Sequence, residues 1–218
     1  MGLRHTARGR QGHHHPGRLR RMMRIVVITP PHAVPREAAT IRLLLDAGID
    51  RVHIRKPEAS REELCALLEA IPEPLRPRLS LHDGHCLAIQ YGIGGVHLNA
   101  RNPLPPEGFR GVVSRSCHSL DELAADTACS YRFLSPIFDS ISKNGYRAAF
   151  TAEELRTAAA RGVLGDRTLA LGGITPDRLA AVRDYGFGGA ALLGSIWQQP
   201  SPEALQQTID KIIAFKNL

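Results

Sequence analysis

The sequence predicts an α/β protein, a single (β/α)8 TIM barrel, and three observations carry that expectation. Eight short apolar runs recur with helical patterns between them, the alternation that a parallel sheet closed on itself requires. The last two runs, Thr168-Leu169-Ala170-Leu171 and Gly189-Ala190-Ala191-Leu192-Leu193, stop at small residues, Gly172-Gly173 and Gly194-Ser195. Bare backbone at the exits of the seventh and eighth strands is the usual phosphate site of such a barrel. The G-x-G-x-x-G fingerprint of the competing doubly wound sheet is missing after the first run, where Thr29-Pro30-Pro31 stands instead.

Taken in order, the first strand is read at 24–29, and a helix at 36–47 stops at Gly48 before the second strand at 51–55. The next helix, 60–70, opens on Ser60 and Glu63, a capping-box pair, ahead of Leu64, Leu67 and Leu68. Strands three to six follow at 79–82, 95–98, 112–116 and 131–135. Segment 136–150 is the one long connection, and irregular chain of that length in a compact domain is expected to form a binding loop or lid. A helix at 151–161, a strand at 168–171, a helix at 176–185, a strand at 189–193 and a helix at 201–215 complete the pattern.

The chain's 218 residues, 43% of them hydrophobic, suffice for one sizeable core, and the lack of an 18-residue apolar run predicts a soluble protein with no membrane partner. The formal charge of +7 resembles a nucleic-acid signal, but residues 1–24 hold seven arginines and no acid, so the remainder is neutral overall. No specific nucleic-acid partner is therefore expected, since charge alone drives only non-specific binding. Residues 1–24, which include His13-His14-His15, are too poor in apolar residues to form a stripe and are expected to be a disordered basic leader before a domain at 25–218. Cys65, Cys86, Cys117 and Cys129 form no C-x-x-C pair and no zinc-ligand spacing, which fits a reducing cytoplasm. Cys117 adjoins His118, but neighbours on a strand point to opposite faces, so packing is its expected role.

In a barrel, the residues at the C-terminal ends of the strands form the mouth where chemistry takes place. Here these are His53 and Arg55-Lys56 after strand two, His82-Asp83 after three, His97 and Asn99 after four, Ser116 and His118 after five, and Lys143 in the loop after six. Four histidines at one mouth point to proton handling, and the basic residues complete an anion clamp with the glycine exits. Asp83 reads equally as part of a turn before Gly84, as an orienting group for a histidine, or as a cation ligand.

Six segments then resemble, in order, the thiamine phosphate synthase and thiazole tautomerase (TenI) superfamily. Val52-His53-Ile54-Arg55-Lys56 resembles its Q-L-R-x-K strand, Leu81-His82-Asp83 its N-D-R segment, and Gly94-Gly95-Val96-His97-Leu98 its G-V-H-L strand. Ser114-Arg115-Ser116-Cys117-His118-Ser119 is similar to its G-x-S-x-H-S segment, Ser135-Pro136-Ile137-Phe138-Asp139-Ser140-Ile141-Ser142-Lys143 to its G-P-I-F-x-T-x-T-K loop, and Ala170-Leu171-Gly172-Gly173-Ile174 to its A-I-G-G-I strand.

The resemblance implies that Ser140, Ser142, Gly172, Gly173, Gly194 and Ser195 hold the phosphate of a thiazole phosphate, the expected small-molecule partner. The half that in synthases holds a pyrimidine diphosphate and Mg2+ departs from the pattern: Pro57 stands where lysine is expected, His53 for glutamine, His82 for asparagine and Asn102 for the second aspartate. The tautomerase branch needs no cofactor and carries R-S-x-H-S, as here. By this resemblance His118 is the acid/base, with Lys143 as a second catalytic group. His53, Arg55, Lys56, His82, Asp83 and Ser116 would then bind substrate. No metal is expected on this reading; the synthase alternative would put Mg2+ on Asp83. A third alternative is a non-catalytic barrel that binds thiamine precursors, and a homo-oligomer fits any of the three.

Overall fold

In the computed structural model, which describes residues 22–139 and 148–218, eight parallel strands close in sequence order into a barrel. They are β1 (Arg24–Ile28), β2 (Arg51–Ile54), β3 (Leu79–Leu81), β4 (Gly95–Leu98), β5 (Val112–Cys117), β6 (Tyr131–Leu134), β7 (Thr168–Leu171) and β8 (Gly189–Leu192). Each lies within one residue of its expected bounds, because short apolar runs between turn residues leave little freedom in where a buried strand starts and stops. Pairing of β1 with β8, from Arg24↔Gly189 to Val27↔Leu192, closes the ring. Asp50 clasps both ends of the folded chain: one carboxylate oxygen accepts from the Ile25 amide at 2.7 Å and the other from Lys216 Nζ at 2.6 Å.

The helices are α1 (Glu37–Asp46), α2 (Arg61–Glu69), α3 (Leu87–Gln90), α4 (Leu120–Ala125), α5 (Ala152–Ala160), α6 (Leu179–Asp184), α7 (Gly194–Trp197) and α8 (Pro202–Lys216). The capping box at Ser60 and Glu63 is present, the Glu63 amide donating to Ser60 Oγ at 3.1 Å and the Ser60 amide to Glu63 Oε2 at 2.8 Å. Thr151 and Glu154 form a second box at α5. The expected helix at 176–185 begins as a 3-10 turn over Pro176–Arg178 before α6. Regular alternation fails at one place: no helix joins β4 to β5. That crossover carries Pro103, Pro105 and Pro106, which lack the amide donor a helix needs and whose rings clash with the preceding turn.

Alternation along each strand divides the apolar residues between two cores. Ile25, Val27, Val52, Ile54, Leu79, Leu81 and Val96 point outward against the helices. Inside the barrel, Val26, Ile28, Tyr131, Phe133, Leu169 and Ala191 form a smaller cluster contributed by β6, β7, β8 and β1. The opposite inner wall, from β2 to β5, is polar: His53, Ser80, His82, His97 and Ser114 are all buried. At its base Arg51 Nη1 donates to the Leu79 carbonyl at 2.6 Å and to Ser80 Oγ at 3.3 Å. Gly95 makes room for it, since a Cβ there would lie 2.8 Å from that guanidinium and 2.2 Å from Ser80 Oγ. No helix among the described residues is long and apolar enough to cross a membrane.

Candidate active site

The C-terminal ends of the strands open into a cavity of about 780 Å³. Arg55, His82, His97, Asn99, Arg101, Arg115, Ser116 and His118 face it from β2 to β5, and Leu171, Gly172, Gly173, Ala191, Leu193 and Gly194 face it from β7 and β8. The split interior therefore continues upward into a cavity with one polar, cationic wall and one bare, apolar wall.

His118 stands where β5 gives way to α4. Ser119, the next residue, caps α4 by accepting from the Glu122 amide at 3.1 Å, and the His118 amide donates to Glu122 Oε2 at 2.8 Å. The ring is held from the neighbouring strand: Nδ1 lies 3.3 Å from both the carbonyl oxygen and Oγ of Ser135. A carbonyl accepts only, so this contact favours the tautomer with the proton on Nδ1 and leaves Nε2 as the basic nitrogen. Ser116 lines the same wall, with its hydroxyl 3.2 Å from His97 Nε2.

Below them lies a stack of buried rings. His82 and His97 are parallel within 15° at 4.0 Å between centroids, and His97 stacks in turn on Phe133 at 5.2 Å. His53 Nδ1 and His82 Nε2 share a hydrogen bond of 2.9 Å, and His53 Nε2 bonds the Tyr131 hydroxyl. Burial, reinforced by the neighbouring His97, holds His53 and His82 well below the usual imidazole range. His97 is pushed down to about 3, chiefly by burial and then by His85 and Arg115. All three rings are therefore neutral near pH 7.

Several sequence expectations find a different setting. His53 is fully buried beneath the cavity rather than on its wall. Lys56 turns away from the mouth: its ammonium bonds the carbonyls of Pro30 and His32 at 2.8 and 2.7 Å and pairs with Glu37 at 2.6 Å. A buried ammonium needs a counter-charge and acceptors; the loop after β1 supplies the carbonyls and the first residue of α1 the charge. Asp83 pairs with Arg101 at 2.6 Å, while its other oxygen receives the Lys56 amide at 3.3 Å. Ser195 donates to the Ile174 carbonyl at 3.1 Å instead of lining the cavity. Ser140, Ser142 and Lys143 lie outside the described residues. Cys117 is buried in the outer core, where burial pushes its thiol up, as a packing role requires.

Gly172 and Gly173 stand on the cavity wall at the exit of β7, and Gly194 at the exit of β8. Gly172 and Gly173 have φ of 99° and 63°, and a Cβ at Gly173 would lie 2.3 Å from the Asp139 carbonyl oxygen. The amides of Ile137 and Phe138 donate to the carbonyls of Leu171 and Gly172, tying the chain after β6 to the exit of β7. Arg101 and Arg115 were not singled out as site residues in the sequence, because one follows a strand in an irregular crossover and the other has outward parity on β5. Both line the cavity, Arg101 while paired with Asp83 and Arg115 while its Nε pairs with Asp126 at 3.5 Å.

A hard cation does not fit this wall. No carboxylate lines the cavity among the described residues, Asp83 is engaged by Arg101, and Asn102 offers an amide that donates to the His82 carbonyl. Mg2+ needs anionic oxygen ligands, which the three neutral imidazoles do not provide.

The profile of the thiamine monophosphate synthase family matches residues 25–196. A thiamine-phosphate synthase from Serratia proteamaculans is 33% identical over 188 residues, covering 81% of this chain and 87% of the relative. Another from Cronobacter sakazakii is 32% identical over 72% of this chain and 79% of its own length. Among solved structures, a thiamine phosphate pyrophosphorylase from Bacteroides thetaiotaomicron superposes with a TM-score of 0.81 at 35% identity, covering 90% of this chain and 98% of that one. With its barrel, its glycine exits and its histidine at the end of β5 in place, the chain belongs to the thiamine monophosphate synthase and TenI family.

Proposed function

We propose that this thiamine-biosynthesis protein is a thiazole tautomerase, moving a proton on a carboxylated thiazole phosphate until the ring is aromatic. The observation that carries this reading is the asymmetry of the cavity. The glycine wall suits a phosphate, while the wall that would have to meet Mg2+ and a departing diphosphate has no carboxylate on it among the described residues and has lost its lysine to Glu37.

On this reading the phosphate lies against Gly172, Gly173 and Gly194, with Ser140 and Ser142 completing its ligands as the resemblance implies. Arg55 pairs with the substrate carboxylate as a cation already on the wall. His118 Nε2 takes a proton from one carbon of the substrate, and the resulting imidazolium returns it to another, so the net change is an isomerisation. Nδ1 stays against Ser135 throughout, which fixes the ring for both transfers. Lys143 is the second catalytic group on the strength of the resemblance alone.

Loss of a positioned acid/base costs roughly 10²–10⁴-fold in rate. His118→Ala is expected to lose that much thiazole isomerisation, followed by NMR of the ring carbons, with the fold intact by circular dichroism. An unchanged rate would overturn the assignment. The synthase reading is favoured by the names of the relatives at 33% and 35% identity. Incubation with pyrimidine diphosphate, thiazole phosphate and Mg2+ decides it: diphosphate release at an enzymatic rate establishes a synthase. Ligand binding with neither reaction would leave a precursor-binding barrel.

A further inference from the structure

We propose that His53, His82 and His97 form a binding site for a borderline divalent transition-metal ion of the zinc class, at the floor of the cavity. His53 lies on β2, His82 just past the end of β3 and His97 on β4; all are buried, and one ligand atom from each lies within 4.8 Å of the others. Imidazole nitrogens bind such an ion at about 2.0–2.1 Å, which places tetrahedral ligands roughly 3.3 Å apart. His53 Nδ1 and His82 Nε2 are already 2.9 Å apart.

The surroundings of the rings orient them for this. Histidines that ligate metals have their other nitrogen fixed by a hydrogen-bond partner. Here the Tyr131 hydroxyl holds His53 Nε2, and Ser114 Oγ holds His97 Nδ1 at 3.0 Å. That leaves His53 Nδ1 and His97 Nε2 to converge with His82 Nε2. The ion takes the place of the hydrogen between His53 Nδ1 and His82 Nε2; from the tautomer with that hydrogen on His53 Nδ1, the proton moves to His53 Nε2, which then donates to Tyr131, so three neutral imidazoles ligate the ion and no proton is released. His97 Nε2 must release Ser116 and the ring must tilt from its stack with His82 about the retained Nδ1 bond to Ser114. His82 and His97 line the cavity, so the ion has an entry path and a fourth position open to water or an anion. An all-imidazole donor set suits zinc, cobalt or nickel rather than Mg2+. The site does not depend on the tautomerase reading, because binding can be measured without turnover.

The test uses the full chain, stripped with a chelator and titrated with Co2+, whose tetrahedral complexes absorb visible light. One equivalent per chain is expected, and it is retained when His13, His14 and His15 are all replaced by alanine. His82→Gln and His97→Gln should each weaken binding by more than the roughly 10–100-fold that loss of an orienting partner costs. Absence of the visible band, a band that disappears with the His13–His15 substitutions, or unchanged affinity in the glutamine variants would each overturn the proposal. Should those variants fail to fold, the unsubstituted chain still decides: bound Co2+ must shift the ring resonances of three histidines, two of them partnered by Tyr131 and Ser114, and a different set refutes the site.

Discussion

At the scale of single residues, Lys56 and Glu37 form the most demanding pair in the molecule. Their side chains are 4% and 6% exposed and 2.6 Å apart, so neither charge is compensated by water. Removing one partner of such a pair costs about 3–5 kcal/mol, because the other charge remains buried alone. Lys56→Met is therefore expected to lower the urea midpoint of unfolding by that equivalent, and a midpoint within error of the parent would contradict the pairing. A basic dipeptide at a strand exit reads as an anion clamp, and for Arg55 that placement on the cavity wall holds. For Lys56 the deciding partner, Glu37, lies 19 residues earlier on α1, a contact that no local pattern encodes. The same limit applies to His53: its strand parity was legible, but its depth beneath the mouth depends on how far the neighbouring strands are staggered.

At the scale of elements, caps and apolar runs were legible because they are local. Ser60 and Thr151 each complete a capping box, and Ser60→Ala or Thr151→Ala should each cost about 1 kcal/mol, read as a lower melting temperature. Loss of neither box affecting the melt would show that these helices are held by packing alone. The uniform strand-helix alternation expected from the sequence broke down between β4 and β5. Three prolines over a short span override a weak apolar pattern there, and the crossover instead supplies Asn99, Arg101 and Pro103 to the cavity. Short helices such as α3 and α7, four residues each, are below the length at which periodicity can be recognised.

At the scale of the whole molecule, the polar inner wall makes stability depend on pH. Unfolded imidazole titrates near 6.5, while His97 in the barrel is held at about 3 and His53 and His82 well below their usual range, each chiefly by burial. The unfolded chain therefore binds more protons in between, and stability present above about pH 6.5 is lost as pH falls toward 3. His97 alone should cost about 2 kcal/mol between pH 7 and pH 5, measured as a fall in the urea midpoint; a constant midpoint would mean that the ring is protonated in the folded state. The clasp at Asp50 has a different consequence, one of connectivity. Because Ile25 and Lys216 bond the same carboxylate, the order in which the strands are threaded is nearly a circle already. Joining Leu218 to Met1 and opening the chain at exposed Gly108, in the helix-free crossover, would make the apolar staves β6, β7, β8 and β1 contiguous in sequence. Such a circular permutant is expected to reach the same barrel and, with its inner apolar contacts now closer along the chain, to refold faster in stopped-flow than the parent.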